Sequence, residues 1–395
     1  NGDYVHNTER VPLYFIFLLP FRLLFGDTLL PVLLTQSIVD AFSCVIIAKL
    51  GSFIDFKTGV VSGFCAALWY NLVLHSSFIL TETLFIFLIC ILLLGSANFA
   101  SRGKLHDAIL IGLACGLGMM TRTVVALLPL AIALITPIVT QYRMGSWRQG
   151  AIAGIVVVVF SLLPASPILY RNIVNFDTVQ LTSQNGVFVL NWVVGLSKSL
   201  ENGRGFDIES RALNNKFHRE VEKTFGPNAK LNAFEKSEQK LVVAKREIGE
   251  MAVSTLVKAW LYGAVNNLMS PVVAIDPRIR GLNTKSFYNS AGHNLLDKAH
   301  HFLKDNNPVF VLSVFLASLS VVFFSILQLG GWVFLLRSNY WVAVLGALYI
   351  LYFLMVSGPV GSAKYRIPIE PALIIFQSFA IKELIELYLR RIPKA

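Results

Sequence analysis

The sequence predicts an all-α polytopic membrane protein, and three observations lead to that fold class. Only 14% of the 395 residues are charged and 55% are hydrophobic, whereas soluble domains carry about 25% charged residues. The mean hydropathy is +0.63. Several apolar runs are long enough to cross about 30 Å of hydrocarbon as helices. A β-barrel would instead show short segments of alternating hydrophobicity.

The first apolar run, residues 12–26, is too short for an ordinary membrane span and contains Pro20 and Arg22. It predicts an interfacial or re-entrant helix. About nine transmembrane helices are predicted to follow it. Their approximate bounds are 29–50, 59–77, 81–97, 107–120, 124–141, 149–169, 308–336, 340–357 and 367–388.

Lysine and arginine are shared unevenly between the two sets of connections. One set of short loops carries only Arg122, Lys364 and Arg366. Because cytoplasmic loops are enriched in basic residues, the other set is predicted to be cytoplasmic. This bias also explains the net charge of +11 without nucleic acid as a partner. The basic residues of the predicted cytoplasmic set are Lys49, Lys57, Arg102, Lys104, Arg143, Arg148, Arg337, Arg390, Arg391 and Lys394.

Residues 170–307 form a long polar segment, which this orientation places outside the cytoplasm. Two amphipathic helical patterns are predicted in it, near 207–225 and 235–269. The predicted organisation is therefore an end of an outer loop with an interfacial helix, an N-terminal membrane bundle, the extracytoplasmic segment and a C-terminal membrane bundle. The corresponding ranges are 1–28, 29–169, 170–307 and 308–395.

No metal site or disulfide framework is predicted. The four cysteines all fall inside apolar runs, where they serve as small buried hydrophobic residues. His293, His300 and His301 lie on a predicted interfacial helix and are interpreted as its solvated face. No phosphate-binding loop or dinucleotide fingerprint occurs, so no nucleotide is expected.

Polar residues gather at the predicted outer ends of the spans. Lys364 and Arg366 flank the predicted start of helix 367–388, and Glu370 follows one turn later. Arginine suits bidentate contact with phosphate, and lysine supplies a point charge. Together these residues predict a site for an anion. The other members of the group are Arg10, Glu82, Arg122, Arg171, Asn172, Asn185 and Tyr365.

Each of these residues also has an ordinary structural explanation. Glu82 could be a carboxylate favoured by a helix N-terminus. Arg122 and Arg171 could be anchors whose charged ends reach the membrane surface. The stretch SQNG (183–186) could be a simple turn.

Five motifs, taken in order along the chain, are similar to those of one family. They resemble motifs of the integral-membrane glycosyltransferases of the GT-C class, in the bacterial branch related to protein O-mannosyltransferases and lipid A aminoarabinose transferases. The motifs are TERVPLYFIFLL (8–19, with Arg10), SSFILTETLF (76–85, with Glu82), GLGMMTRT (116–123, with Arg122), LYRNIVNF (169–176, with Arg171 and Asn172) and AKYRIPIEP (363–371, with Tyr365 and Arg366).

The resemblance implies an enzyme of the bacterial cell envelope, with its active site facing outward from the plasma membrane. Such enzymes move a sugar from a polyprenyl-phosphate donor to an extracytoplasmic lipid, glycan or protein. A single displacement inverts the anomeric carbon. The family's catalytic Asp lies in the first outer loop, so we expect it to precede Asn1 in a longer N-terminal part. A divalent metal is left open as a cofactor.

The resemblance also assigns roles to residues of this chain. Catalytic roles fall to Glu82 and Arg122. Lys364 and Arg366 are expected to contact the lipid phosphate, and Tyr365 and Asn185 the sugar hydroxyls. The remaining substrate-binding residues are Arg10, Arg171 and Asn172.

Two other functions are compatible with the sequence. A flippase or transporter of lipid-linked sugars would also gather cations around phosphate. Its ionisable residues should lie near the membrane midplane, with broken helices repeated in two halves. A non-catalytic subunit would use segment 170–307 to bind a partner. Transfer of sugar by the reconstituted protein distinguishes the enzyme from both.

Overall fold

The structure is a computed structural model that describes residues 7–227, 229–281, 284–285 and 287–391. The predicted all-α fold is confirmed, since the chain is 82% helical and the described residues contain no strand. The first six residues of the predicted 1–28 segment and the last four of the 308–395 segment lie outside this description.

The chain divides into two compact units. Unit 1 contains residues 1–10, 168–321 and 354–365. Unit 2 contains residues 11–167, 322–353 and 366–395. Several long helices contribute residues to both units. The division into four segments stays a prediction.

The apolar part of the chain forms eleven helices among the described residues. Each of the nine predicted spans is helical, and the short first run is helical as well. Their bounds are Leu13–Phe25, Leu30–Ser52, Phe56–Ala67, Tyr70–Ser76, Glu82–Arg102, Leu105–Met119, Leu128–Met144, Trp147–Phe176, Pro308–Ser338, Tyr340–Ser357 and Glu370–Arg391.

Fewer than nine of these helices are long and apolar enough to cross a membrane. Six pass by length and composition, and a seventh is added if one bent pair counts as a single span. The helix Leu105–Met119 is too short by that test, since 15 residues rise only about 22 Å. The helix Glu370–Arg391 does not pass because it carries charged residues at both ends.

The predicted span 59–77 is the bent pair. Helices Phe56–Ala67 and Tyr70–Ser76 meet at 49°. Trp69 has an extended backbone at the break, and its ring packs edge-on against Phe324 at 5.0 Å. The interruption sets the short helix Tyr70–Ser76 apart, and that helix carries polar residues of the candidate site.

Close helix packing in unit 2 depends on small residues. Helices Leu30–Ser52 and Phe56–Ala67 approach so closely that a Cβ at Gly59 would lie 2.8 Å from the Ala48 carbonyl oxygen. Asp55 begins the second of these helices by accepting hydrogen bonds from the Thr58 amide and hydroxyl. Small residues at helix contacts are typical of membrane bundles.

Large apolar side chains cover the outside of several helices. In the most hydrophobic window of Pro308–Ser338, only 6% of residues are buried. Such a surface would be a liability in water but is the expected face toward lipid. The chain is thus a multi-pass membrane protein, as predicted.

Two contacts join segments that are all predicted to lie on the cytoplasmic face. Lys57 pairs with Glu386 at 2.8 Å, near the C-terminal end of the last helix. Gln149 donates a hydrogen bond to the Gly103 carbonyl at 2.7 Å. These contacts within unit 2 agree with the predicted sorting of loops, while the identity of the cytoplasmic face stays a prediction.

The polar helices belong to unit 1. The predicted helix near 207–225 is confirmed as Phe206–Phe225, and the pattern near 235–269 is divided into Ala233–Glu250 and Val253–Met269. The other described polar helices of more than four residues are Gly195–Asn202 and Leu295–Asp305, and a π-helical stretch occupies Phe188–Val194. The apolar faces of Phe188–Val194, Phe206–Phe225 and Ala233–Glu250 share a core that includes Leu190, Val194, Leu213, Phe217 and Val243.

Candidate functional site

Three of the buried polar side chains in helices of unit 2 lead to the candidate site. Gln36 is in Leu30–Ser52, and Asn71 and His75 are in the short helix after the break. Polar groups at such depth need partners because an unsatisfied one costs several kcal/mol. Their contacts lead to two arginine–carboxylate pairs.

The first pair is formed by Glu82 and Arg122. Glu82 is the first residue of helix Glu82–Arg102 and is fully buried. Arg122 follows the end of helix Leu105–Met119 with an extended backbone, and its Nη1 lies 2.9 Å from Glu82 Oε1. The guanidinium also stacks over Phe85 at 5.5 Å. Two helix ends thus place a carboxylate and a guanidinium together in a largely apolar setting.

The second pair is formed by Arg366 and Glu370. Glu370 Oε1 accepts hydrogen bonds from Arg366 Nε at 2.7 Å and from Asn71 Nδ2 at 2.6 Å. Both residues of the pair are buried. The sequence shows Glu370 only as a charge one turn inside an apolar run. Because Glu370 lies four residues after Arg366, its carboxylate compensates the charge of the buried arginine.

The region around Arg366 begins differently from the prediction. Ala363–Arg366 is itself helical, Ile367–Ile369 continues as a 3-10 turn, and Glu370 opens the long helix. Arg366 therefore does not flank a helix start at residue 367. Pro368 sits in the 3-10 turn, whose tighter geometry tolerates the missing N–H at this entry.

The short helix Tyr70–Ser76 connects the two pairs. Thr83, next to Glu82, donates to the His75 carbonyl at 3.1 Å. His75 Nδ1 lies 2.7 Å from the Asn71 carbonyl, and Asn71 bonds Glu370. We call Glu82, Arg122, Asn71, Glu370 and Arg366 the arginine–carboxylate network.

The loop that leads to Glu82 is fixed from the first two helices. Gln36 Nε2 donates to the carbonyls of Ser76 and Phe78, at 3.1 and 2.7 Å. Its Oε1 accepts a hydrogen bond from the Tyr14 hydroxyl at 2.7 Å. Leu13 N in turn donates to the Met120 carbonyl, close to Arg122. The loop that carries Glu82 is therefore supported by buried hydrogen bonds.

The network is electrically balanced and positioned in advance. Each guanidinium has a carboxylate beside it, which fixes the orientation of the planar fork of N–H donors. Such forks bind oxyanions, and in a site with little water their interaction is much stronger than at an exposed surface. Binding of the donor phosphate by these two guanidiniums stays a prediction.

Arg171 and Asn172 organise backbone in unit 1. Arg171 Nη1 donates to the Asn7 carbonyl at 3.1 Å, and its Nε and Nη2 donate to Asn172 Oδ1. Asn172 is buried and donates to the carbonyls of Gln180 and Leu181. These contacts give both residues a structural role, and their contact with substrate stays a prediction.

Arg10 and Asn185 are exposed in unit 1. The Arg10 backbone closes a turn on the Asn7 side chain. Asn185 begins a one-turn helix and bonds the Gln180 side chain at 3.3 Å.

Lys364 and Tyr365 follow a turn that helix Val253–Met269 holds from within unit 1. Asn267 Nδ2 donates to the Val360 carbonyl at 3.1 Å, and its Oδ1 accepts from the Ser362 amide at 3.0 Å. Asn266 donates to the Gly361 carbonyl at 2.9 Å. One amide side chain thus binds the turn through both a donor and an acceptor.

Gln36, Asn71 and His75 were not assigned to the site from the sequence, and Glu370 was noted there only as a charge close to Arg366. The signal available was their position inside apolar runs, where polar residues are costly and mark function or buried networks. The described residues contain no group of three or more His, Cys, Asp or Glu that could hold a metal ion.

Comparison with known proteins identifies one family. Residues 9–170, which include Glu82 and Arg122, match the model of the dolichyl-phosphate-mannose-protein mannosyltransferase family. This match confirms the family resemblance noted in the sequence, and it supports a glycosyltransferase of the GT-C type. No curated protein and no solved structure gives a significant match.

Proposed function

We propose that the protein transfers a sugar from a polyprenyl-phosphate donor to an extracytoplasmic acceptor, on the basis that residues 9–170 match the model of the dolichyl-phosphate-mannose-protein mannosyltransferase family. The family match is the observation that carries this proposal. The buried pair of Glu82 and Arg122 inside the matched segment supports it.

The reaction is a single displacement at the anomeric carbon. The bond from that carbon to the donor's phosphate oxygen breaks, and the electron pair leaves with the polyprenyl phosphate. A bond to the acceptor oxygen or nitrogen forms, and the acceptor gives up one proton to a base. Inversion at the anomeric carbon follows from the single displacement.

To accelerate this reaction, the protein must stabilise the departing phosphate. Negative charge grows on the phosphate while the sugar gains oxocarbenium character, so donors aimed at the phosphate act more strongly in the transition state. We assign this role to Arg122 and Arg366. Glu82 and Glu370 orient the two guanidiniums. Lys364 and Tyr365, which precede Arg366 in the chain, are proposed to contact the donor.

The test is transfer by the purified full-length protein reconstituted in liposomes. Synthetic polyprenyl-phosphate sugars are supplied with cell-envelope extract as the source of acceptor, and products are followed by mass spectrometry. The proposal predicts release of polyprenyl phosphate together with a gain of one sugar mass on an acceptor. NMR of the product should show the anomeric configuration opposite to that of the donor.

Two outcomes would contradict the proposal in different ways. Movement of intact donor between leaflets without product would make the protein a transporter of lipid-linked sugars. Neither movement nor transfer with any donor of the panel would favour a non-catalytic subunit.

A further inference from the structure

Unit 1 contains a cleft of about 700 Å³, and no residue of the arginine–carboxylate network lines it. The first turns of helix Ala233–Glu250 and the end of helix Phe206–Phe225 both line it. Glu9 and Gln184 are also among the lining residues. An open cleft of this size can accept a ligand of one or two sugar rings.

Two lysines line the cleft on the same face of one helix. Lys236 and Lys240 are four residues apart, so their side chains are neighbours, and like charges in this arrangement repel each other. Neither ammonium lies within 4 Å of a carboxylate of any described residue. Lys240 is half-buried, with its Nζ 5.2 Å from the centre of the Phe217 ring. Burial, together with the charge of Lys236, lowers the pKa of Lys240, against the opposing effect of Glu9.

Three hydrogen-bonding side chains line the cleft together with the lysines. The amide of Gln184, the imidazole of His218 and the carboxylate of Glu222 all line it. Within the described part of the chain, none of these three side chains makes a hydrogen bond or ion pair. A carboxylate and an amide are the usual acceptors and donors for sugar hydroxyls.

The helix that carries the lysines has a capping box at its N-terminus. The Asn232 side chain accepts from the amides of Phe234 and Glu235, while the Glu235 side chain accepts from the Asn232 amide. Ser237, between the two lysines in sequence, accepts a hydrogen bond from the Gly186 amide at 2.9 Å. The backbone that carries the lysines is therefore ordered before a ligand binds.

We propose that this cleft binds an anionic saccharide, and that this saccharide is part of the acceptor in the proposed transfer. Lys236 and Lys240 hold its phosphate or carboxylate, and Gln184, His218 and Glu222 bind its hydroxyl groups. The assignment of the ligand as acceptor rests on the proposed function. The binding site itself rests on the cleft and its unpaired polar groups.

The binding test uses the full-length protein in detergent and isothermal titration with three soluble probes: glucose 6-phosphate, inorganic phosphate and glucose. Glucose 6-phosphate should bind most tightly, phosphate more weakly, and glucose at least tenfold more weakly than glucose 6-phosphate. In Lys236→Gln/Lys240→Gln, affinity for glucose 6-phosphate should fall about 10- to 100-fold, because charge-assisted hydrogen bonds are lost.

Two further variants serve as a control for the lost charge and as a test of the sugar contact. Lys245→Gln removes the same charge from the opposite, exposed face of the same helix and should leave affinity unchanged. Glu222→Gln should reduce the affinity for glucose 6-phosphate while leaving that for inorganic phosphate intact or stronger. Equal affinities in the double lysine variant and in Lys245→Gln, or no binding of either phosphate probe, would overturn the proposal.

The acceptor role is tested separately from binding. In the transfer assay, the double lysine variant should raise KM for the acceptor and leave KM for the polyprenyl-phosphate donor unchanged. A protein that binds the probe at the lysines and transfers nothing would contradict the proposed function alone. Transfer with unchanged acceptor KM in the double variant would contradict the acceptor role alone.

Discussion

At the scale of single residues, the site consists of buried charges, and each would be strongly destabilising without a charge of opposite sign beside it. A carboxylate or guanidinium taken alone out of water costs several kcal/mol, and breaking a buried pair by removing one partner costs about 3–5 kcal/mol. Arg366 and Glu370 are both buried, and Asn71 adds a further donor to the carboxylate. Stability and activity effects must therefore be separated before a function is assigned to either residue.

Removal of Arg366 alone should impair folding as well as transfer. Arg366→Leu leaves the Glu370 carboxylate without its partner, so the apparent thermal midpoint should fall by an amount equivalent to about 3–5 kcal/mol. In Arg366→Leu/Glu370→Leu an apolar pair replaces the ion pair, so part of that stability should return, although the buried Asn71 amide loses an acceptor. Thermal unfolding in detergent measures both.

The double variant should nevertheless transfer sugar at least about 30-fold more slowly than the wild type, because the phosphate has lost a guanidinium. Asn71 is retained in both variants, but in the double variant its Nδ2 loses the Glu370 oxygen that accepts its hydrogen bond. A double variant with restored stability and wild-type transfer would show that the pair is structural only.

At the scale of elements, helix Val253–Met269 determines the position of the turn before Lys364. Trp260 donates to the Met355 carbonyl, and Asn266 and Asn267 bind the turn beyond it. Gly263 lies against the same turn, where a Cβ would be 2.6 Å from the Pro359 carbonyl carbon. The absence of a side chain at Gly263 allows this approach.

Two glycine substitutions test that contact. Gly263→Ala should lower stability by about 1–3 kcal/mol, since backbone must move to admit the methyl group. Gly249→Ala is a matched control in the preceding helix, where a Cβ would meet nothing within 4 Å. The control should be neutral or stabilising by up to about 1 kcal/mol, as alanine is the better helix former. Equal effects of the two substitutions on the thermal midpoint would contradict the proposed packing.

Glu247 connects three helices of unit 1 by pairing with Lys198 and Lys216. Burial alone would raise the pKa of Glu247, but the hydrogen bonds and charges of the two lysines outweigh burial and lower it. A carboxyl whose pKa is lower in the folded state stabilises the fold above its unfolded pKa of about 4.3. That contribution is lost as the pH falls through the folded pKa.

The stability difference between wild type and Glu247→Gln should therefore be full at pH 7 and shrink as the pH is lowered from about 5. Glu250→Gln, at an exposed carboxylate that forms no ion pair with the described residues, provides the control. Thermal midpoints measured across this range decide the matter. A difference that stays constant with pH would show that the ion pairs contribute nothing.

At the scale of the whole molecule, the sequence predicts the helices better than their contacts. Phe206–Phe225 is predictable because it is amphipathic and lies between two glycines. Glu82 and Arg122 are recognisable as residues at the ends of apolar runs. Their pairing across 40 residues, and that of Asn71 with Glu370 across 299, depends on which helices pack together. Hydropathy contains no information on that choice.

The break at Trp69 has the same origin. Residues 59–77 are apolar enough for one span, and only the packing of Trp69 on Phe324 and the burial of Asn71 and His75 explain the interruption. Propensity and length cannot show it, because the partners lie elsewhere in the sequence.

The predicted orientation is tested with single cysteines in a protein whose four native cysteines are replaced by serine or alanine. Glu238→Cys, exposed in segment 170–307, should react with a membrane-impermeant maleimide added to intact spheroplasts. Ser338→Cys, exposed beside Arg337, should react only after lysis. The reverse pattern would invert the topology and place the candidate site on the cytoplasmic face.

The most direct test of the proposed function is the rate of a single turnover when Arg122 is changed. Because Arg122→Ala alone would leave Glu82 buried without its partner, the substitution is made in a Glu82→Gln protein, and Glu82→Gln alone is the reference. Arg337→Ala, at an exposed helix end, controls for the lost charge. Transfer from a polyprenyl-phosphate sugar is timed with enzyme in excess over donor.

We expect Glu82→Gln/Arg122→Ala to transfer about 30- to 1000-fold more slowly than Glu82→Gln, which corresponds to about 2–4 kcal/mol of lost stabilisation of the leaving phosphate. Lysine at position 122 should recover only part of the rate because it lacks the bidentate fork. Equal single-turnover rates with arginine and alanine at position 122, in proteins of equal stability, would contradict the assignment of Arg122 to the donor phosphate.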